Sequence, residues 1–349
     1  MVRPVDDEGE NSLMRIHPLT ASYAGLALLM ATAAAASTTP AVTGHISGPD
    51  GGWDYASVDP AHDRLYVARS TSVTVIDLSK GKALPSIGAI AHGHAVVLLP
   101  GTSTLMVTSG HDDSVRFLDT RSGRELGRTA VGKDPDGAFY STSLKLAVVM
   151  NAKAGTVSEI DPKAMKVVRT ITLKPGLEYP QQGPGSSLFA NNEDENELET
   201  ADLATGKPGK SIALTGCEAP SGLAYDARSG ILISACDNGK AAVVDARSRK
   251  LVKLLDIGQG PDAVILDAAR RKAYIPCGRD GTLSVIALDG AQAPRVTGTV
   301  KTEPGARTGA LDPRTGKLYL PTAKWGAAPA GQRPKPVPGT FHVLVASPS

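Results

Sequence analysis

The chain has 349 residues, of which 41% are hydrophobic and 21% charged, and its formal net charge is +2. This balance argues against a nucleic-acid-binding protein, because such proteins normally carry a strongly basic domain or stripe. The 37 glycines and the aromatic content of 4% favour a soluble all-β protein, whose core is then filled by β-branched residues and alanine.

The first 36 residues have the features of a cleaved signal peptide. Met14–His17 forms a short basic region, and Tyr23–Ala36 is an apolar run that ends in Ala34-Ala35-Ala36 before Ser37, as a small-residue cleavage site requires. The run is shorter than the roughly 20 residues that a membrane span needs. Residues 1–13 are acidic and fit poorly ahead of an apolar run, so Met14 is an alternative natural start. We therefore expect a mature chain of residues 37–349, periplasmic or secreted and without a membrane span.

A unit of about 42 residues repeats along the rest of the chain. In five units an apolar residue and an aspartate end one strand, and these aspartates are Asp77, Asp119, Asp161, Asp202 and Asp245. They are 42, 42, 41 and 43 residues apart, and Ala287 takes the next position, 42 residues further on. A short apolar strand such as Leu65–Arg69 occurs in seven copies, the last at Leu318–Thr322. A period near 42 with about four strands per unit is typical of β-propeller blades, so we predict an all-β, seven-bladed β-propeller.

The two ends of the repeat region predict how the ring closes. Val42–Ser47 reads as a strand before the first complete blade, and blade seven ends one strand short after Phe341–Ala346. An unclosed propeller would leave two exposed sheet edges. We therefore expect Val42–Ser47 to pair with Phe341–Ala346 as the outer strand of blade seven.

Two segments break the repeat. Pro180 and Pro184 lie in or beside the first strand of blade four, and proline cannot donate a ladder hydrogen bond, so we expect this blade to be the loosest. Blade seven carries a Pro/Gly/Ala-rich insert, Ala323–Gly339, between its second and third strands. An insert of this length and composition favours a lid or a binding loop over a strand.

The repeats resemble those of the bacterial YVTN/YncE-like β-propeller proteins over residues 42–346. The strand LYVAR at Leu65–Arg69 and the following VTVID at Val73–Asp77 carry the resemblance, and Val131–Gly137 is similar to the VGxxPxG turn of that family. The last blade, from Gly305 onward, resembles one exported subgroup. The resemblance implies an exported propeller with no assigned reaction, and related propellers bind haem or quinone-linked partners. Blade four departs from the family strand pattern.

The loops that lead into the first strands lie on one face of a propeller, around its central channel, and a rigid scaffold of this kind often carries function on such loops. The ligand-binding candidates on this face are Arg307, His92, His94, Asp136, Glu218 and Asp262. Arg307 is the first choice, because its planar guanidinium can bind a substrate carboxylate or phosphate through two parallel hydrogen bonds. The alternative for Arg307 is an internal ion pair that joins two blades.

His92 and His94 are two residues apart, so both would point the same way from a strand. With Asp136 they are candidate metal ligands, and solvated histidines are the alternative. The sequence contains no G-x-S-x-G or GxxxxGK[ST] motif. The leading hypothesis is therefore a monomeric, non-enzymatic exported scaffold that binds an unknown small ligand or protein, without a cofactor or nucleic acid. The alternative is an extracytoplasmic enzyme, or a cofactor- or metal-binding propeller, that works at the channel mouth.

The three cysteines allow one disulfide at most. Cys217 leads into the first strand of blade five and Cys236 ends its second strand, and antiparallel pairing brings these two positions together. We therefore expect a Cys217–Cys236 disulfide with Cys277 free. A Cys236–Cys277 bond between adjacent blades is the alternative.

Overall fold

The computed structural model describes residues 40–290, 292–327 and 334–348. Within them the chain forms seven antiparallel sheets, which confirms the seven-bladed β-propeller. The inner strands of consecutive blades contact each other around the ring, including those of blades one and seven. The predicted signal peptide lies outside the described residues. No helix in the described part of the chain has the length and hydrophobicity of a membrane span.

Each blade contributes an inner, a second, a third and an outer strand, in that order from the channel outward. The inner strands of blades one to seven are Trp53–Asp59, Gly93–Leu98, Pro135–Ser141, Leu177–Gln182, Pro220–Asp226, Ile265–Asp267 and Ala310–Leu311. The second strands are Arg64–Arg69, Thr104–Ser109, Leu146–Asn151, Ser187–Asn192, Ile231–Cys236, Lys272–Cys277 and Leu318–Thr322.

The third strands of blades one to seven are Val73–Asp77, Ser114–Asp119, Thr156–Asp161, Glu197–Asp202, Lys240–Asp245, Thr282–Ala287 and His342–Ser347. The outer strands are Lys82–Ile87, Glu125–Ala130, Lys166–Thr172, the pair Lys207–Pro208 and Ile212–Ala213, then Lys250–Asp256, Arg295–Lys301 and Ala41–Ser47. One short 3-10 helix, Gly110–Asp112, follows the second strand of blade two.

The ring closes as the sequence predicts. Ala41–Ser47 pairs antiparallel with His342–Ser347, so the N-terminal strand is the outer strand of blade seven. Its side chains are mostly exposed, and Ile46 is the residue of this strand that is buried. Ile46 packs in a cluster that also contains Leu65 of blade one and Val343 of blade seven. The closure therefore combines backbone pairing with one apolar anchor.

The hydrophobic core lies between neighbouring blades. One cluster, for example, joins Met106 and Phe117 of blade two to Val149 and Ile160 of blade three. These side chains are fully buried, because the second and third strands of every blade have neighbours on both faces. A blade therefore buries its apolar faces only by stacking against the next blade in the ring.

The repeated aspartates cap the third strands locally, as expected for residues of this type at a strand end. Asp119, Asp161, Asp202 and Asp245 each accept a backbone N–H from a residue two or three positions further on. The side chain of Asp77 likewise accepts from the backbone N–H of Lys80 at 3.1 Å. These aspartates stabilise turns and lie away from the channel.

Blade four is irregular in its outer strand. Pro180 lies within the continuous inner strand and pairs with Ala190. An inner strand has one edge without a partner strand, and proline is tolerated there. The outer strand is divided into Lys207–Pro208 and Ile212–Ala213, and both segments pair with the third strand.

The described ends of the blade-seven insert form a short hairpin. Trp325 bridges to Pro336, and Gly326 donates its N–H to the carbonyl of Lys335 at 2.9 Å. Trp325 also packs against Trp53 and donates its indole N–H to the carbonyl of Pro304 at 3.0 Å. Residues 328–333 of the insert lie outside the described residues.

In the structure Cys217 and Cys236 form a disulfide with a Cα–Cα distance of 5.3 Å, and Cys277 is a buried free thiol. Replacing both Cys217 and Cys236 by alanine is expected to lower the free energy of unfolding by about 3 kcal/mol, since the bond closes a loop between residues 19 apart. Urea unfolding measures this loss. Cys277→Ala is the matched control and keeps the disulfide. Equal unfolding midpoints for the double variant and the wild type would contradict this role.

Candidate functional site

The inner strands carry a repeated β-bulge near the channel mouth. In blade one, Trp53 pairs with Arg69, and the next pair is Ala56 with Val67, so the inner strand holds one extra residue. The same three-against-two register shift occurs in blades two to five. A bulge of this kind redirects a side chain out of the regular alternation. In each case the second residue of the strand occupies the bulge.

The equivalent positions of all seven blades form a set that we call the mouth ring. Its members, from blade one to blade seven, are Asp54, His94, Asp136, Glu178, Ser221, Asp262 and Arg307. Four carboxyl groups thus face two basic side chains and one hydroxyl. Ser221 is buried, and the other six residues are half-buried. The mouth ring is a polar and mainly acidic collar above a packed interior.

His94 of blade two lies between a carboxylate of blade one and a carboxylate of blade three. Its Nδ1 lies 2.8 Å from Oδ2 of Asp54 and 3.4 Å from Oδ2 of Asp136. Burial alone would lower the pKa of His94, but the hydrogen bond to Asp54 and the charge of Asp136 outweigh it and raise that pKa to about 9. Near neutral pH the imidazole is therefore a cation held between blades one and three.

Two further histidines extend this group outward. Nδ1 of His92 lies 2.8 Å from Nε2 of His94, and the His92 ring stacks on His111 with a centroid separation of 4.2 Å. Burial, together with the neighbouring imidazoles of His94 and His111, lowers the pKa of His92. A neutral His92 can accept a hydrogen bond from Nε2 of His94. His92 therefore orients the His94 ring.

Arg307 and Asp262 form the second ion pair of the mouth ring. Nε of Arg307 donates to Oδ2 of Asp262 at 2.6 Å. The side chain of Arg307 stays 41% exposed. This is the ion pair between blades that the sequence left open as an alternative for Arg307. Its Nη groups make no hydrogen bond to a described residue.

Glu178 has neither an ion pair nor a hydrogen bond to its carboxyl group from any described residue. Burial raises its pKa well above the ordinary value, and the charges of Asp136 and Asp262 raise it further. Burial likewise raises the pKa of Asp136 to about 7, although His94 opposes the shift. The acidic side of the mouth ring therefore crowds carboxyl groups that disfavour each other's ionisation, and a cation beside them would favour their ionised forms.

Two tyrosines close the channel beneath the mouth ring. Tyr55 of blade one and Tyr179 of blade four cross from opposite sides, with ring centroids 4.6 Å apart. The Tyr55 hydroxyl donates to the carbonyl of Asp262 at 3.1 Å. Burial and the four carboxylates of the mouth ring raise its pKa well above the ordinary value, so this hydroxyl stays protonated. Tyr179 also lines a cavity of about 1600 Å³ that opens at the other ends of inner strands.

The structure brings together four of the six residues that the sequence nominated, namely His94, Asp136, Asp262 and Arg307. His92 lies just outside the inner strand with a φ of 64°, so it approaches His94 from the side and is not its parallel neighbour. Asp54 takes the place beside His94 and Asp136 that we expected for His92. Glu218 is exposed in the loop before blade five, three residues ahead of the mouth ring.

Sequence reasoning did not single out Asp54, Glu178 or Ser221 as site residues. A repeat alignment anchored on the second strands would have found them. In blades one to five, each mouth-ring residue lies two positions before the inner-strand residue that pairs with the centre of the second strand, as Asp54 does before Ala56. Because of the bulge, the simple alternation of side chains along a strand does not predict which residue faces the channel.

Comparisons with known proteins support the fold. No protein-family model and no curated protein matches this chain. Among solved structures it is similar to Kuenenia stuttgartiensis hydrazine synthase, with a TM-score of 0.69 and 17% sequence identity over 79% of this chain and 94% of that chain. At this identity the similarity shows the fold alone. The resemblance to YVTN/YncE-like proteins stays a prediction, and the chain is a seven-bladed β-propeller.

Proposed function

We propose that this protein is an exported, non-enzymatic β-propeller that binds a small cationic ligand at the mouth ring. The observation that carries the proposal is the charge of this collar. Four carboxyl groups face His94 and Arg307, and both of these cations are already paired with ring carboxylates. A bound ligand with an ammonium or guanidinium group would supply the missing positive charge. Export and the YVTN/YncE-like relationship belong to the same proposal, supported by the N-terminal pattern and the repeats.

Glu178 is the expected primary contact for such a ligand. Its carboxyl group is half-buried, unpaired among the described residues, and close enough to Asp136 and Asp262 to feel both charges. A ligand ammonium would pair with Glu178 and screen it from these neighbours. Charge-assisted hydrogen bonds of this kind contribute about 1.5–3 kcal/mol each.

The test uses 1,4-diaminobutane as the cationic probe and 1,4-butanediol as its neutral analogue. Isothermal titration is expected to show binding of the diamine and none of the diol. Glu178→Gln should weaken diamine binding by about tenfold to a hundredfold, since it removes the charge and keeps the shape. Glu195→Gln, an exposed glutamate of the same blade, is the matched control and should change the affinity by less than about twofold.

Two results would overturn the proposal. One is the absence of diamine binding to folded wild-type protein. The other is an equal affinity of the diol and the diamine, because recognition would then not depend on charge. Diamine binding that both glutamate variants reduce equally would place the ligand outside the mouth ring.

Arg307→Ala distinguishes a cationic from an anionic ligand. Removing a positive charge from the mouth ring is expected to strengthen diamine binding by about 1 kcal/mol, or about fivefold. Arg279→Ala is the control, since Arg279 pairs with Asp237 in an exposed loop. If succinate bound to the wild type and lost tenfold or more in affinity in Arg307→Ala, the mouth ring would be an anion site centred on Arg307.

A further inference from the structure

We infer that Asp54, His94 and Asp136 form a binding site for a divalent transition-metal ion of the Zn²⁺ type. The inference rests on the proposed function, since it names one class of cation for part of the mouth ring. The three side chains come from blades one, two and three, and each offers one ligand atom. These three atoms all lie within 4.8 Å of one another.

The distances suit a metal ion without rearrangement of the backbone. Zinc binds histidine nitrogen and carboxylate oxygen at about 2.0–2.2 Å, so two tetrahedral ligands lie about 3.3–3.6 Å apart. His94 Nδ1 is 3.4 Å from Oδ2 of Asp136 and 2.8 Å from Oδ2 of Asp54. Small rotations of the side chains can therefore place all three atoms around one ion.

An unsatisfied atom gives independent support. Oδ1 of Asp136 is buried and has no hydrogen-bond partner in the described structure. A buried polar atom without a partner costs free energy unless a water, an ion or a ligand satisfies it. Coordination of a metal through Oδ1, or through both oxygens of the Asp136 carboxylate, would remove this cost.

The second nitrogen of His94 is held as in known metal sites. Metal-bound histidines usually place their other ring nitrogen against a hydrogen-bonding partner that fixes the ring orientation. Nε2 of His94 has this partner in Nδ1 of His92, at 2.8 Å. When Nδ1 of His94 binds the ion, Nε2 carries the proton and donates it to His92. His92 is therefore a positioning residue and lies outside the ligand set.

The donor set selects the class of metal. One imidazole and two carboxylates suit divalent transition ions, whereas calcium takes six to eight oxygen ligands. Three protein ligands leave at least one coordination position free at the channel mouth. Sites of this kind accept a water molecule or a ligand atom at the open position.

The test is a titration of Zn²⁺ into tag-free, chelator-treated full-length protein, followed by isothermal calorimetry. Wild-type protein is expected to bind one ion per chain. Asp54→Asn and His94→Gln should each weaken binding by a hundredfold or more, and both variants are checked for an unchanged fold by circular dichroism. His92→Asn keeps a residue that tolerates the positive φ and should weaken binding by about tenfold to a hundredfold.

A second His–Asp pair supplies the matched control. His62 Nδ1 lies 2.7 Å from Asp59 Oδ2 at the other end of the blade-one inner strand. His62→Gln should leave Zn²⁺ binding unchanged. An absence of Zn²⁺ binding to the wild type would overturn the site, and so would unchanged binding in Asp54→Asn and His94→Gln.

The metal site and the proposed function can fail separately. Diamine binding that depends on Glu178, together with no Zn²⁺ binding, would overturn the metal site and leave the proposed function in place. Zn²⁺ binding that depends on Asp54 and His94, without diamine binding, would support the metal site and overturn recognition of organic cations. If neither probe binds, both proposals are wrong.

Discussion

Replacing Asp226 by asparagine is expected to lower the free energy of unfolding by about 3–5 kcal/mol, because it leaves a buried guanidinium without its counter-ion. Asp226 ends the inner strand of blade five, and both its carboxylate oxygens accept from the Nη groups of Arg271 in blade six at 2.6 Å. The side chains are 3% and 9% exposed. This pair fastens two neighbouring blades near the end of the channel opposite the mouth ring.

The chain offers a matched control between the same two blades. Arg279 donates to both carboxylate oxygens of Asp237 at 2.8 Å, but these side chains are 59% and 49% exposed. Asp237→Asn is expected to cost 0–1 kcal/mol, as exposed ion pairs usually do. Chemical unfolding of both variants measures the difference. Equal losses for Asp226→Asn and Asp237→Asn would contradict the role of burial.

The same ion pair predicts a pH dependence of stability. Arg271, with help from Ser229, lowers the pKa of Asp226 to about 2. Since the folded-state pKa lies below the unfolded-state value, the stabilisation is complete above about pH 4 and is lost as the pH falls towards 2. We expect Asp226 to contribute about 2 kcal/mol to this loss, and Asp226→Asn should lack that part of it.

Deleting residues 37–47 is expected to lower the free energy of unfolding by about 5 kcal/mol or more. The deletion removes the strand Ala41–Ser47 and leaves His342–Ser347 as an open edge. Each lost ladder hydrogen bond costs about 0.5–1.5 kcal/mol, and the buried side chain of Ile46 adds about 1.5–3 kcal/mol. Thermal unfolding and light scattering measure the loss and the aggregation that an exposed edge promotes.

A peptide can separate strand pairing from other effects of the deletion. A synthetic peptide of residues 40–48 should restore the melting temperature of the shortened protein. The same peptide with His45→Pro should not, because proline lacks the N–H and disrupts the ladder. A shortened protein that melts within about a degree or two of the full mature chain would show that this strand does not close the ring.

The repeat made the architecture predictable from sequence. The spacing of Asp77, Asp119 and the later aspartates marks one strand per blade, and the alternating apolar residues around them favour β-strands over helices. Closure was predictable for a different reason, because blade seven lacks an outer strand and Val42–Ser47 has no other partner. Blade four was harder, since the effect of Pro180 depends on which edge of its strand is unpaired.

The site was predictable only in part. His94, Asp136 and Asp262 stand out because they are polar residues at strand entrances. Asp54 and Glu178 were not selected, because a one-residue bulge changes which side chain faces the channel. No local sequence pattern predicts this bulge. His92 was placed with His94 by strand alternation, but its backbone turns before the strand begins. The ion pairs and hydrogen bonds of the mouth ring join residues from seven segments that are far apart in the sequence. The sequence alone does not show which of these residues contact each other.

The most direct test of the central claim is a crystal structure of the protein soaked in 1,4-diaminobutane. We expect electron density for the diamine inside the mouth ring, with an ammonium nitrogen about 2.7–2.9 Å from a carboxylate oxygen of Glu178. Glu178→Gln crystals soaked in the same way should show weaker density or none. Well-ordered diamine bound elsewhere on the propeller, with water alone inside the mouth ring, would contradict the claim.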